Sequence, residues 1–592
     1  MEKENHKLRM RVYGVFAALI VLIMVVSSVS RPSLPSPSVS PSELSMQQVS
    51  AATAAPSLQP TPAPPAVVPV EAISGEQISL AEVIPPALKG AGTLSYQSSN
   101  ESVVMIDGNG LMTVTGPGQA SVSVLGGAQP LSVRVTASEP PSMRISADYC
   151  QLKPGETAQI GCLTTGAVSG APLWTSSNEA VVTVTGNGVL TGVSDGAAWV
   201  SAAVDGYTDR IAVWVTEHEP SPPLSEPDAP RFINDAGIYR NPSSQAKDEV
   251  SILLTGDLMA LSSQQRAAKQ GDTYNYNSSF NLVRPIFAQS DFVIGNLETC
   301  LSYSNPYTVQ TKTVQGNPNC NAQATYLDAL RYAGYDAVVT ANNHCGDAGS
   351  IGAYETLQLL DAYQIAHTGT FSRAEQPRFT LADVSGIRVA FLSYTEIINT
   401  KSNTLAVPDE DQQLIFNRYS EERLREDIAA AKEAGAEFIV AYNHWGQENT
   451  QTVTEKQKEH AQQLADAGVD FIAGSHSHCL QPPAMITAAD GRQVPCIFSL
   501  GNFVSSMGRD INNDTVILKL DLRRMEDGHI GIDQIGYIPC RVCPEYEGGH
   551  HVIVPVSNEL NGGGQARFLD SAERRIDKVM DNGVFAKITS TD

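Results

Sequence analysis

The chain has 592 residues, with 39 Lys+Arg against 63 Asp+Glu and a formal net charge of −24. That balance excludes a nucleic-acid binder, which needs a basic footprint, and disfavours broad electrostatic adhesion to anionic lipid or wall polymer. Hydrophobic residues make up 42% and charged residues 17%, so the chain is not disordered overall, and at ~150 residues per domain it holds several cores.

Residues 1–30 set the compartment. Lys3, Lys7, Arg9 and Arg11 outweigh Glu2 and Glu4, and an apolar run follows from Val12 to Val26, extended by Ser27 to Val29. A cleaved signal peptide has an apolar core of roughly 7–15 residues and a small-residue cleavage site. A membrane-spanning anchor needs about 20 apolar residues. No Ala-x-Ala follows the run, so the sequence favours an uncleaved anchor in the cytoplasmic membrane. The basic start then stays cytoplasmic, and the bulk of a single-pass chain lies outside the cell. Residues 31–70, rich in Pro, Ser and Ala, form an extended spacer.

Two repeats come next, over 71–138 and 142–217. Ser98-Ser99-Asn100-Glu101, Val103-Val104 and Gly108-Asn109-Gly110 return as Ser176-Ser177-Asn178-Glu179, Val181-Val182 and Gly186-Asn187-Gly188. Asn-Gly between alternating apolar residues signals a hairpin, and short strands at this turn spacing indicate β-sandwiches. The pattern, with Tyr96 and Trp174 at its aromatic position, resembles the bacterial group 2 immunoglobulin-like domain. That resemblance implies surface modules serving as spacers, with Trp174 in the core. Cys150 and Cys162 both fall in the second repeat and are candidates to pair. A second Pro-rich linker spans 218–247.

From 248 to 547 strands and helices alternate, as in SILLTGD, FVIGNLE and ERLREDIAAAKEAGAEFIVAYNHWG. Largely apolar strands alternating with helices give an α/β sandwich. The expected fold class is thus multidomain: an N-terminal transmembrane helix, two all-β immunoglobulin-like sandwiches, then the α/β domain. Each strand of the last domain ends in a polar residue: Asp257, Asn296 with Glu298, Asn342 with Asn343, His344 and Asp347, His444, His476 with His478, and Asn502. Sites in open α/β sheets form beyond the carboxyl ends of strands. Imidazole and carboxylate together suit Zn, Mn or Fe. A carboxylate bridging two such ions, here Glu298 or Asp257, is the usual anchor of a two-metal hydrolase. In a turn after a strand, His476 and His478 can each reach one ion of the pair.

This ordered set resembles the CapA (poly-γ-glutamate capsule synthesis) family within the calcineurin-like metallophosphatases. The blocks are Gly256-Asp257-Leu258-Met259, Asn296-Leu297-Glu298, Ala341-Asn342-Asn343-His344, His444-Trp445-Gly446, Gly474-Ser475-His476-Ser477-His478 and Ser499-Leu500-Gly501-Asn502-Phe503. The resemblance implies Asp257, Glu298, Asn343, His444, His476 and His478 as metal ligands. It implies His344 as the proton donor to a leaving oxygen. Asp347 is placed with His344 as its orienting partner, and Asn296, Asn342 and Asn502 stand behind the ligands. Met259 departs from the Asp-x-His of many metallophosphatases and removes one nitrogen ligand from one ion.

The cysteines add expectations. Cys300 and Cys320 bracket a polar loop after Glu298, and a disulfide there would stiffen it. Cys345 and Cys479 follow His344 and His478 and would pair if their loops meet. Cys540-x-x-Cys543 lacks the second pair that a zinc motif needs. Residues 548–592 are expected to be a weakly structured extension with no assigned role.

Two functions fit. One is a membrane-anchored extracellular hydrolase or transferase with two divalent ions, acting in capsule, poly-γ-glutamate or related envelope-polymer synthesis. The other is a non-catalytic scaffold for assembling an anionic envelope polymer, which Met259 favours. The expected partners are the membrane, the polymer or its synthesis complex, and no nucleic acid.

Overall fold

The protein is described by a computed structural model covering residues 66–86, 94–126, 131–222, 227–310, 319–399, 407–547, 549–563 and 567–590. The expected membrane anchor and nearly all of the first linker lie outside the described residues. Among the described residues, no helix is long and apolar enough to cross a membrane.

The two repeats fold as separate β-sandwiches. In the first, the strands Ala66–Ile73, Leu131–Ser138, Gly118–Leu125 and Ser95–Ser98 form one sheet in that order, opposite a three-stranded sheet. In the second, the hairpin Gly196–Val204/Tyr207–Val215 leads a four-stranded sheet. Trp174 is buried in the second sandwich's core, as expected.

The C-terminal domain packs two sheets face to face, one of eight strands and one of nine. Strand alternation sorts the apolar residues into layers. Ile252, Leu254, Phe292, Val389, Phe391, Val440 and Tyr442 meet between the sheets. Leu253 and Val293 turn outward under helices on one side, and Ala390, Leu392 and Ile439 do so on the other. Both faces of each sheet are therefore dry, which explains the near-continuous apolar runs.

The domain is larger at both ends than the sequence indicated. Ile233–Asp235 and Ile238–Arg240, within the expected second linker, form a hairpin that joins the edge of the eight-stranded sheet beside Phe379–Val384. Arg231 anchors it by an ion pair with buried Asp336. The expected loose extension at 548–592 is structured over its described residues 549–563 and 567–590. His550–Pro555 is a sheet strand. The helix Arg567–Met580 places Leu569, Ala572, Ile576 and Met580 in the inter-sheet core.

The second immunoglobulin-like domain is docked on the C-terminal domain rather than held off as a spacer. Arg373, with only 3% of its side chain exposed, ion-pairs with buried Asp209. It also donates to the backbone oxygens of Ile145 (3.0 Å) and Ala147 (3.1 Å). Tyr149 donates to Asp361 (2.8 Å), and Trp214 stacks on Tyr354 at 6.2 Å.

Candidate metal centre

The carboxyl ends of strands from both sheets are in register at one edge. Asp257 lies opposite Asn296 on one side and Asn502 on the other. In the second sheet Thr395, His444 and Ser475 are aligned. Two glycines make this convergence possible. At Gly256 the strand Glu249–Leu258 breaks register between Thr255 and Asp257, and a Cβ there would lie 1.9 Å from the Gly501 oxygen. A Cβ on Gly474 would lie 1.9 Å from the Phe498 oxygen.

His476 and His478 follow in the left-handed region, at φ 87° and 55°. Non-glycine residues are rare there, and such strain collects at functional sites. The strained turn sends the two imidazoles to two different ligand groups. His476 Nδ1 lies 3.1 Å from His444 Nε2. His478 Nδ1 lies 3.4 Å from Asp257 Oδ2. Glu298 stands between, its Oε1 being 3.4 Å from His444 Nε2 and 4.0 Å from His478 Nε2. Ligand atoms of Glu298, His444 and His476 all lie within 4.8 Å of one another, and so do those of Asp257, Glu298 and His478. Glu298 thus belongs to both sets. Asn343 joins the first, its Oδ1 2.7 Å from His444 Nε2.

A metal pair fits these residues on a direct test. Asp257 Oδ2 and both Glu298 carboxylate oxygens are fully buried with no hydrogen-bond partner among the described residues. Buried polar atoms rarely stay unpaired, because each costs ~1–3 kcal/mol and more if charged. Burial, and then the Asp257 carboxylate beside it, push the Glu298 carboxyl well above its usual range. Burial, and then neighbouring imidazoles, pull His444 far below its ordinary value and His476 down to about 3. Burial also acts against protonated His478, but Asp257, Glu448 and Asn502 together outweigh it and the net shift is upward. Divalent cations would relieve the carboxylate repulsion and take the neutral imidazoles as ligands.

The remaining residues brace this set. Asn296 Nδ2 donates to Asp257 Oδ1 (2.9 Å). Asn342 donates to Asn296 Oδ1 (3.1 Å) and to the Leu297 oxygen (2.8 Å). Asn502 Oδ1 lies 2.9 Å from His478 Nδ1. His344 Nδ1 lies 2.6 Å from Asp347 Oδ2, and the Cys320 N–H donates to the same oxygen (2.7 Å). Every site residue expected from the sequence lies at this edge.

Sequence reasoning missed Ser475, whose Oγ lies 2.8 Å from His444 Nδ1, and Asn399, which accepts from Asn343 (3.1 Å). It also missed Glu448, whose charge acts on Glu298 and His478. Ser475 sits inside a quoted block and was legible. Asn399 and Glu448 lie in loops with no pattern to mark them.

The cysteines differ from expectation, since all nine are free thiols. Cys345 Sγ faces the Asn342 and Ile415 oxygens, whereas Cys479 lies beside Asn512, so their loops do not bring the sulfurs together. Cys300 and Cys320 share a backbone hydrogen bond of 2.9 Å, yet the Cys300 thiol turns to the His344 oxygen. Cys540 and Cys543 enter different core layers, because residues three apart on a strand face opposite ways.

The chain is similar to several known proteins. Residues 251–507 match the family described as "Bacterial capsule synthesis protein PGA_cap". Residues 141–213 match "Bacterial Ig-like domain (group 2)", and residues 87–128 match "Intimin, immunoglobulin-like domain". The chain is 28% identical over 297 residues to the PGA biosynthesis protein CapA of Bacillus subtilis (strain 168), covering 49% of this chain and 72% of that protein. It is 26% identical over 281 residues to the capsule biosynthesis protein CapA of Bacillus anthracis, covering 47% and 64%. Among solved structures, Haemophilus influenzae NAD nucleotidase is similar at 13% identity and TM-score 0.31, over 58% of this chain and 65% of that one. By its sequence blocks and these matches, the C-terminal domain belongs to the bacterial capsule synthesis protein PGA_cap family, with immunoglobulin-like domains preceding it.

Proposed function

We propose that the protein is a metal-dependent hydrolase or transferase of the cell envelope, acting in the synthesis of a capsule polymer such as poly-γ-glutamate. The observation that carries this reading is the set of three buried carboxylate oxygens on Asp257 and Glu298 that have no hydrogen-bond partner among the described residues and are ringed by His444, His476 and His478. Asp257, Glu298, Asn343, His444, His476 and His478 would hold two divalent ions, Mn, Fe or Zn. When bound, such ions supply Lewis acidity to the scissile group and to the attacking water.

The chain's own residues supply the rest. Asp347 accepts from His344 Nδ1 and so fixes the ring and its tautomer. Nε2 then faces the leaving oxygen, to which the ring, when doubly protonated with the Asp347 carboxylate beside it, would give its Nε2 proton. Asn296 and Asn342 hold the Asp257 and Glu298 segments in place, and Asn502 orients His478. Names of the relatives place them in capsule biosynthesis, and immunoglobulin-like modules suit an extracellular chain tethered by residues 1–30.

The test is turnover of phosphoester and γ-glutamyl amide substrates after loading with Mn, Fe or Zn. His344→Ala is expected to lower kcat by ~10²–10⁴ with the metal content unchanged. Turnover that survives in a His476→Ala/His478→Ala double variant would refute the reading. Met259 supports a second reading, a scaffold for polymer assembly, because it stands buried where another metal ligand would be. Polymer display in cells that persists with the double variant would favour the scaffold.

A further inference from the structure

The helix Arg567–Met580 lies beyond the family match, which ends at residue 507. A continuous set of polar contacts nevertheless joins it to the metal centre. Its apolar residues Leu569, Ala572, Ile576 and Met580 seat it in the inter-sheet core, and this fixes where Arg575 stands. Arg575 grips Asp514 with two donors, Nε to Oδ2 at 2.5 Å and a terminal nitrogen to Oδ1 at 2.9 Å. Asp514, with 3% of its side chain exposed, takes a second guanidinium from Arg541 at 2.6 Å. Arg541 reaches on to Asp510 at 2.5 Å. The helical turn Asp510–Asn513 is thus pinned at its first residue and immediately after its last. A buried carboxylate between guanidinium groups adds little net stability over apolar packing. What the two-donor grip adds is a fixed geometry.

That geometry is passed to His478 by Asn512. The buried Asn512 side chain donates to the His478 backbone oxygen at 2.9 Å and to Cys479 Sγ at 3.3 Å. Its backbone oxygen accepts from Asn502 Nδ2 (3.1 Å), and Asn502 Oδ1 lies 2.9 Å from His478 Nδ1. One turn therefore holds both the main chain and the ring of His478. His478 needs such support, because its left-handed backbone at φ 55° persists only where the surroundings over-determine it. Among the described residues, His476 makes no hydrogen bond to Asn512 or Asn502, so the support is one-sided. We infer that Arg575 is a positioning residue of the metal centre, fixing His478 through Asp514 and Asn512, and with it the ion that His478 and Asp257 would hold. The inference rests on the two-ion reading above and gives the C-terminal helix a part in it.

The experiment titrates the metal-free full chain with cobalt(II) and follows binding by calorimetry and by the visible absorption band of the bound ion, with no turnover needed. Two binding steps are expected in the parent, and His478→Ala identifies the step that His478 serves. Arg575→Ala and Asn512→Ala are each expected to weaken that step by ~10–100-fold and to shift its band, with the other step changed by less than about twofold. Arg574→Ala removes the same charge from an exposed position on the same helix and is expected to leave both steps unchanged. Asn512→Ala keeps the ion pairs, so it carries the test if Arg575→Ala does not fold. Equal weakening of both steps in Asn512→Ala, or no weakening in either variant, overturns the clamp while leaving the metal centre standing. A parent chain that binds no cobalt refutes the metal centre, and the clamp falls with it.

Discussion

His476 and His478 stand two residues apart and would face opposite ways on an extended strand. Their left-handed backbone turns them into one site instead, and the buried neutral state of His476 has a measurable consequence. Its folded value, about 3, lies below the ordinary 6.5. Below about pH 6.5 the unfolded chain therefore takes up a proton that the native imidazole refuses, and stability falls as pH drops toward 3. The melting midpoint of the metal-free chain is expected to fall more steeply between about pH 7 and 5 than that of His476→Gln. Equal slopes would show that His476 is not held neutral. Asp347 acts through His344, so Asp347→Asn is expected to lower kcat and shift its pH profile while KM stays unchanged. A change confined to KM would place Asp347 in substrate binding.

Glycines and strand ends carry the site at the scale of elements. Gly474→Ala would drive a Cβ into the Phe498 oxygen at 1.9 Å. The expected loss in chemical denaturation is ~1–3 kcal/mol or more, the cost of an overpacked interior, and an unchanged midpoint would contradict the packing described. Strand ends were the most legible part of the sequence, because an apolar run that stops at a ligand marks its own boundary. The helix Arg567–Met580 was missed, though a signal for it was present. Leu569, Ala572, Ile576 and Met580 repeat at three- and four-residue steps, but charged residues dominate between them and hid the pattern. The edge hairpin at Ile233–Arg240 was not legible, since a half-exposed edge strand needs few apolar residues. Free thiols at Cys345 and Cys479 follow from loop paths that no spacing rule encodes.

For the molecule as a whole, the decisive feature is that an immunoglobulin-like module and the C-terminal domain share a buried ion pair. Arg373 and Asp209 are almost fully enclosed, and removing one partner of such a pair strands the other charge. Arg373→Ala is expected to cost ~3–5 kcal/mol and to split a joint calorimetric transition into two. A single transition with an unchanged midpoint would mean that the modules are not coupled. Sequence repeats revealed the modules but not this contact, because its partners lie 164 residues apart. Whether Glu298 joins two metal sites is read by elemental analysis of the purified full chain beside Glu298→Gln. About two divalent ions per chain are expected, with loss of both, or of all but a weakly held one, in the variant. A chain that holds no metal after loading, or a variant that keeps the parent's full content, would contradict it.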